Sequence, residues 1–370
     1  MRISLSKIKT LFFIPWLSFL SLPFIGAKGA CYLFIGICAA GIIFIALRRV
    51  GQVRLGGKIT KELTTPKLSY NPKYFIAVSM LFVLVLPLWA DNYYIDVAVL
   101  AGIYIILAIG LNVIIGYAGL LNLGFAAFYA IGAYSSALLT TALGLGFWSA
   151  LFVSLILTTF SGFLLAFPAL RLRGDYLAII TLGFGEITRL TLNNWDKLTH
   201  GPNGISGIPV PFIFGFELEN LKHYYYVVLF FVLFAVIVVR RTYYSRIGRA
   251  WLAIREDETA AEAMGVDATR YKFLAFSFGA FWAGLAGALF ASKMRFVSPE
   301  SFSFMESVFI ACMVILGGLG SIPGVILGSL ILVVLPEALR DFQSYRMLAL
   351  GAGLILMMIF RPQGIIRSRE

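Results

Sequence analysis

Long hydrophobic runs follow one another along almost the whole chain, separated only by short polar stretches. A helix needs about 20 apolar residues to cross the hydrocarbon core of a bilayer, and its backbone must satisfy its own hydrogen bonds there. Candidate spans lie at 10–27, 30–47, 74–90, 94–116, 123–143, 147–169, 176–194, 224–240, 271–292, 304–318, 322–336 and 346–361. The sequence therefore predicts an all-α, polytopic transmembrane helical bundle of about 10–12 spans, the lower number applying if some are broken or re-entrant.

Composition agrees with this class and excludes others. Of the 370 residues, 60% are hydrophobic and 13% are charged, whereas soluble domains have about 45–50% and 25%. The formal net charge is +12, but the charges fall between the hydrophobic runs, so nucleic acid is not an expected partner. The three cysteines lie inside apolar runs and there are only two histidines, so neither a disulfide framework nor a metal site is predicted, and no cofactor is expected.

Lysine and arginine residues predict the orientation. They concentrate at the N-terminus, at 48–73, at 171–173, at 240–272 and in the tail, and these stretches share one side if the spans alternate. By the positive-inside rule that side is the cytoplasm. We therefore expect a multi-pass membrane protein with both termini cytoplasmic and residues 195–223 external. The first 30 residues also suit a signal peptide, but a second hydrophobic run follows at once.

A charged, alanine-rich segment, IREDETAAEAMG at 254–265, separates two of the most apolar runs. It predicts a short helix lying flat on the membrane. The local signals are Glu256 and Asp257 in a first turn, Thr259 and Glu262 at capping-box spacing, Gly265 as a left-handed cap, and Asp267 as N-cap of the next span.

Three alanines of this segment, Ala260, Ala261 and Ala263, predict a low-relief face that another protein approaches closely. A solvated helical linker is the alternative interpretation.

Polar residues within spans mark candidates for a translocation pathway, because intramembrane polar groups normally face the bundle interior or water. Glu186 and Arg189 lie three apart in a short, glycine-interrupted span of the kind that breaks near transport sites. Asn112 and Asn122 flank glycines, Gly116 and Gly119 among them, that break a helix. The alternative for Glu186 and Arg189 is an ion pair that only fixes packing. The alternative for Asn112 and Asn122 is interhelical hydrogen bonding.

Small residues and glycine-rich stretches predict close packing and turns. The small residues are spaced four apart, at Gly279, Ala283, Gly287 and Ala291, which favours close approach of helices. The stretch 315–324 predicts a tight turn between two spans, and 201–209 predicts an external, turn-rich loop.

Motifs for covalent chemistry are missing from the sequence. It contains no GxxxxGK[ST] phosphate loop, no GxSxG elbow and no HExxH. We therefore expect no enzymatic activity, and a membrane acyltransferase would lack both nucleophile and base. A secondary transporter driven by an ion gradient is a rival, although it has no need of the 248–270 helix.

Six longer motifs identify a family by resemblance. They are GLNVIIGYAGLLNLGFAAFYAIGAY (110–134), RLRGDYLAIITLGFGEITR (171–189), GPNGISGIP (201–209), FVSPESFSF (296–304), ILGGLGSIPGVILG (315–328) and FRPQGI (360–365). In order and spacing they resemble the LivM-type permeases of branched-chain amino acid ABC importers. The resemblance covers residues 74–366, and residues 1–73 look like an extra N-terminal region with two candidate spans and a basic linker.

The resemblance implies a permease domain at 74–370 that works with a second permease subunit, two ATPase subunits and a solute-binding protein. It also implies a cytoplasmic coupling loop at about 241–270 that docks on the ATPase, although the Glu-Ala-Ala order is looser here than in the strict motif. The residues implied for docking are Arg255, Glu256, Glu258, Ala260, Ala261 and Gly265. The cargo is expected to be a branched-chain amino acid, with urea or short amides as the alternative.

Overall fold

The computed structural model describes residues 90–169, 174–213 and 220–338, together with 84, 85, 87, 172, 216, 217, 351, 355 and 364–366. All of these belong to one compact unit. The predicted spans at 10–27 and 30–47 lie outside the described residues, as do the whole N-terminal region 1–73 and most of the spans at 74–90 and 346–361.

Eleven helices form the described portion of the chain, which confirms the predicted class of helical membrane protein. They are α1 Asn92–Asn112, α2 Phe125–Thr141, α3 Phe147–Ala169, α4 Asp175–Asn194, α5 Asp196–Thr199, α6 Leu221–Tyr243, α7 Arg246–Glu256, α8 Glu258–Ala263, α9 Ala268–Met294, α10 Phe304–Gly317 and α11 Ile322–Ala338. A π-helical turn, Val113–Tyr117, continues α1.

Four of the described helices are long and apolar enough to cross a membrane: α1 with its π turn, α3, α6 and α9. The others differ in length or polarity. Helices α2, α10 and α11 are apolar but have 17, 14 and 17 residues, and 14 residues of helix reach only about 21 Å. Helix α10 therefore falls short of a full crossing by itself.

Helix α4 differs from its prediction. The glycine-interrupted run was expected to break, yet the helix is continuous from Asp175 to Asn194. A glycine inside a helix costs only about 1 kcal/mol, and a Cβ at Gly183 would meet nothing within 4 Å. No tight contact requires that glycine to leave the helical conformation.

Helix α9 is the central element of the bundle. It packs against α1, α2 and α3, while α1 also packs against α6, α10 and α11. In their most apolar windows α1 is 78% buried and α6 only 33% buried, so α1 is an inner helix and α6 an outer one. Outward-facing Phe and Ile side chains of α3 and α6 form the apolar surface expected of a lipid-facing layer.

Glycines allow the inner helices to come into backbone contact. A Cβ on Gly132 of α2 would lie 2.5 Å from the Cα of Gly284 in α9. The predicted small-residue face of α9 is buried as expected, and Gly287 in that face packs on the backbone of α2 at Tyr129 and Ala133. Helix packing without side chains between backbones is typical of membrane bundles.

Four two-residue strands lie in the loops and leave the helical class unchanged. β1 Ile205–Ser206 pairs antiparallel with β4 Phe296–Val297, and β2 Phe212–Ile213 pairs with β3 Phe216–Glu217. The first pair ties the loop after α5 to the C-terminal end of α9. The helices α7 and α8 precede the N-terminal end of the same α9, about 40 Å away along its 27 residues.

A glycine hairpin joins α10 to α11, as the sequence predicted for 315–324. Gly317 and Gly324 lie so close that a Cβ on either would overlap the other's backbone. The amide nitrogens of Ile365 and Ile366 donate to the carbonyls of Leu316 and Gly317 at 2.9 and 3.1 Å. The end of α10 is thus fixed by residues far along the chain.

Replacing Gly132 by valine should destabilise the bundle, because the added side chain overlaps the α9 backbone. We expect a loss of about 1–3 kcal/mol, the usual range for overpacking, measured as a lower thermal midpoint of the purified chain in detergent. Gly183→Val is the matched control, since that helical position has open space around it. Equal midpoints for the two variants would contradict the contact.

Candidate functional site

The chain leaves helical structure between α1 and α2, at residues 118–124 (the break segment). It follows the π-helical turn of α1, and such turns are frequent at functional sites. Gly119 has a φ of +70°, which glycine adopts without strain. The helix break predicted from the glycines is therefore present.

The break exposes backbone N–H groups that hydrocarbon cannot satisfy, and side chains from three places accept them. The Leu123 N–H donates to Thr181 Oγ1 of α4 at 3.0 Å, and the Ala126 N–H donates to Ser307 Oγ of α10 at 2.9 Å. The Gly124 N–H donates to Asn122 Oδ1 at 3.0 Å. Because Gly124 lacks a Cβ, the α4 backbone at Thr181 can lie directly against it.

Asn112 joins the end of α1 to the α10–α11 hairpin. Its Oδ1 accepts a hydrogen bond from the Gly320 N–H at 2.9 Å. A Cβ at Gly116 would lie 2.6 Å from that same nitrogen, so glycine is needed there for the approach. This interhelical hydrogen bond is the one the sequence offered as an alternative for Asn112.

Both predicted asparagines are fully buried, and each keeps one donor without a partner. Within the described ranges, the Nδ2 groups of Asn112 and Asn122 make no hydrogen bond. An unsatisfied buried polar group costs about 1–3 kcal/mol. These amides are therefore available to water or to a solute that reaches the break segment.

The position of Ser307 shows how deep the break lies. Ser307 is ten residues of helix before Gly317, the last residue of α10, and ten residues correspond to about 15 Å. Since Ser307 binds the first turn of α2, that helix begins about 15 Å from the level of the hairpin. Helix α2 therefore starts inside the bundle, with its N-terminus in the protein interior.

The sequence predicts one helix in the segment 254–265, and this prediction is wrong. The segment contains the end of α7 and the whole of α8. Asp257 separates them, and its Oδ1 accepts from the Ala260 N–H at 3.0 Å. A helix beginning at Glu258 places Thr259 inside its first turn, so the predicted Thr259–Glu262 capping box is wrong. Asp267 is the N-cap of α9, as predicted, and accepts from the Arg270 N–H at 3.0 Å.

Helix α8 ends in a Schellman motif built on Gly265. The Val266 N–H donates to the Ala261 carbonyl and the Gly265 N–H to the Glu262 carbonyl, at 3.0 and 2.9 Å. Gly265 has a φ of +85°, which confirms its predicted role as a left-handed cap.

The predicted exposure of Ala261 is wrong. Ala261 is only 5% exposed and packs with Ile254 and Ala268 in a small apolar cluster that also contacts Val266. One side of a six-residue helix must cover this cluster, and Ala261 lies on that side. The exposed residues include Ala260, Ala263 and Met264, as well as Thr259 and Glu262, and Met264 is 85% exposed.

The resemblance implies that Arg255 takes part in docking, but its side chain bonds to its own chain. Its Nη1 donates to the Gly116 carbonyl at 2.6 Å, one residue before the end of the π turn. Gly119 makes room for this side chain, since a Cβ there would lie 2.9 Å from Arg255 Cγ. The end of α7 is thus bonded to the start of the break.

Glu258 is also engaged within the chain, whereas Glu256 is exposed. Glu258 Oε1 pairs with Lys272 Nζ of α9 at 2.6 Å, and the lysine is almost completely buried. A buried lysine is costly unless it is paired. This ion pair therefore fixes α8 to the first turns of α9.

Glu186 and Arg189 form the predicted ion pair on α4. The Arg189 Nε and Nη2 atoms both donate to Glu186 Oε2, at 3.0 and 2.9 Å. Each side chain is about one-third exposed, 33% and 32% respectively, so the pair lies at the surface of this chain. On the same helix Gly185, the residue before Glu186, packs against Gly124 of the break segment.

Thr181 and Ser307 were not predicted from the sequence. Their partners lie 58 and 181 residues away, and a hydroxyl residue in an apolar run has no local signal that tells it from any other. Thr181 lies two residues before Gly183, a signal that could have found it, whereas the nearest glycine to Ser307 is Gly317, ten residues away.

Comparison with known proteins gives one consistent result. The family model described as "Branched-chain amino acid transport system / permease component" matches residues 93–360. The permease LivM of Escherichia coli is 44% identical over 90% of this chain and 85% of its own, and that of Salmonella typhimurium is 43% identical over the same shares. The E. coli permease LivH is 28% identical over 73% of this chain and 93% of its own. No solved structure matches.

Removing the Arg255 side chain should loosen the break segment, since the Gly116 carbonyl loses a charged donor. We expect Arg255→Ala to raise amide hydrogen exchange in peptides covering residues 113–124 by about tenfold, the equivalent of one charged hydrogen bond. Arg270→Ala is the control, because Arg270 is exposed on the first turn of α9. Unchanged exchange in the Arg255 variant would show that the contact does not hold the segment.

Proposed function

We propose, from the premise that this chain belongs to the permease component family of branched-chain amino acid transport systems, that it is a transmembrane permease subunit of an ABC importer for branched-chain amino acids. The observation that carries the proposal is the 44% identity to the permease LivM over 90% of the chain. The broken helix supports it, because discontinuous helices line the binding sites of many transporters.

Two rival functions gain nothing from the relatives. The relatives named above are permeases of branched-chain amino acid systems, which gives no support to urea, short amides or a gradient-driven mechanism. They are also transport proteins and not enzymes. We therefore propose that the chain does no covalent chemistry and that other subunits hydrolyse ATP.

The proposed assembly has four kinds of component. A second, related permease completes the pathway, two ATPase subunits drive it, and a solute-binding protein delivers the amino acid. The similarity to LivM and to LivH supports a pair of different permeases, since this chain is closer to the first. The inner membrane of a bacterium is the proposed location, and residues 1–73 are proposed to add two N-terminal spans.

The proposed orientation rests on the basic residues near α7 and α8. Helix α7 carries Arg246, Arg249 and Arg255, and the end of α6 just before it carries Arg240 and Arg241. We place this end in the cytoplasm by the positive-inside rule, together with both termini. The paired strands β1 and β4 then lie on the external side, at the other end of α9. The loop that contains β1 is available there to the binding protein.

The proposed docking surface for the ATPase is the exposed side of α8, formed by Ala260, Ala263 and Met264. Ala260 and Met264 are four residues apart and share a face of the helix. Small residues allow close approach, and a methionine that is 85% exposed is an apolar anchor of the kind enriched in interface cores. Arg255 and Glu258 act from within, by fixing α7 and α8 to the break segment and to α9.

Vesicles that contain the complete importer should accumulate leucine only when ATP is inside and the binding protein is outside. Uptake should continue after ionophores collapse the proton and sodium gradients, and excess isoleucine or valine, but not urea, should compete. The measurement is accumulation of radiolabelled leucine. Uptake that needs a gradient and no ATP would instead establish a secondary transporter.

Charge placed on the exposed side of α8 should block docking without harming the fold. We expect Met264→Glu and Ala260→Glu each to reduce co-purification of the ATPase and leucine uptake by at least about tenfold, the effect of losing one interface hot spot. The thermal midpoint should not change, because both positions are exposed.

Ser206→Glu is the matched control for co-purification of the ATPase, an added charge on an exposed residue at the opposite end of α9. Full co-purification in both α8 variants would mean that α8 is only a linker. Because ATPase subunits work in the cytoplasm, loss of docking in these variants also supports the proposed orientation.

A further inference from the structure

Glu306 is a carboxylate in an apolar helix, and none of the contacts described so far gives it a role. It lies in the first turn of α10, directly before Ser307, which holds the first turn of α2. Its Oε1 is completely buried and accepts no hydrogen bond from the part of the chain that the structure describes. None of the ion pairs among the described residues includes it.

Tyr129 of α2 lies close to Glu306 along the contact between α10 and α2. The residue after Glu306, Ser307, accepts a hydrogen bond from the Ala126 N–H of α2 at 2.9 Å, and Tyr129 follows Ala126 by about one helical turn. Tyr129 is 1% exposed, and its hydroxyl has no hydrogen-bond partner among the described residues. Two buried polar atoms without such partners therefore lie on the parts of α10 and α2 that meet at Ser307.

A structural role does not account for this arrangement. The N-terminus of α10 attracts a negative charge, but less strongly than burial in hydrocarbon disfavours it. A carboxylate kept for packing would be expected to have a cationic partner, as Glu258 has in Lys272 and Glu186 has in Arg189. A cation with several hydrogen-bond donors would supply a partner for both Glu306 and Tyr129.

We propose that Glu306 and Tyr129 form a subsite for the α-ammonium group of the transported amino acid. The proposal rests on the proposed function, and it assigns the amino end of the substrate to one place in this chain. A primary ammonium has three donors, enough for Glu306 Oε1 and the Tyr129 oxygen together.

The other end of a zwitterion has a donor nearby. Asn122, fully buried, precedes the same first turn of α2 that Ser307 binds, and its Nδ2 is free of partners among the described residues. Helix N-termini and amide donors suit carboxylates. A substrate with its ammonium at Glu306 therefore has a place for its carboxylate at the start of α2.

The test uses the complete importer in vesicles, with leucine uptake and ATP hydrolysis stimulated by the binding protein measured in the same preparation. We expect Glu306→Gln to lower uptake by at least about tenfold, as for a lost charged hydrogen bond, while ATP hydrolysis stays within about twofold. Tyr129→Phe should lower uptake without lowering the thermal midpoint, because its hydroxyl has no hydrogen-bond partner to lose among the described residues. Glu300→Gln, the same change on an exposed residue of the Pro299–Phe302 turn, is the control.

Three outcomes separate the possibilities. If wild-type vesicles accumulate no leucine, the proposed function fails before the subsite is tested. If wild-type uptake is normal and Glu306→Gln or Tyr129→Phe transports equally well, the subsite is overturned. Parallel loss of uptake, ATP hydrolysis and thermal stability in Glu306→Gln would also overturn it, since it would show that the carboxylate holds the fold.

Discussion

A helix can stop inside hydrocarbon only if other regions of the protein take over the hydrogen bonds of its backbone. The break segment between α1 and α2 meets this requirement through Thr181, Asn122 and Ser307. Two of these side chains come from other helices, α4 and α10. The position of α2 thus depends on helices that are remote in sequence, and any movement of α4 or α10 acts directly on the start of α2.

The same segment is connected to the surface of the bundle. Arg255 binds the end of the π turn, and Asn112 binds the α10–α11 hairpin. The helix proposed to receive the ATPase and the polar groups proposed to receive the solute are therefore joined through a few residues around Gly116. This is a physical connection of the kind that coupling between two sites requires.

The sequence predicted the apolar helices of the bundle well because each is a hydrophobic run, and the bilayer leaves no alternative to helix. It also predicted the glycine break and the caps at Gly265 and Asp267, since glycine and aspartate signals are local. It failed for α4, which stays continuous, and for Ala261, whose burial depends on Ile254 and Ala268 packing against it. The sequence did not predict Ser307, Thr181 or Glu306, because the residues near them in the structure are distant along the chain. Hydrophobic periodicity carries no information about such contacts.

Helix α9 is one continuous helix whose two ends make different contacts. At one end the cluster of Ile254, Ala261 and Ala268 joins it to α8, and at the other end β4 pairs with β1. Because its glycines have no side chains, its backbone is in direct contact with that of α2. A tilt of about 5° over its length of about 40 Å displaces the far end by about 3.5 Å. A displacement of one end of α9 therefore moves its other end, at the opposite face of the membrane, because no flexible segment lies between the two ends.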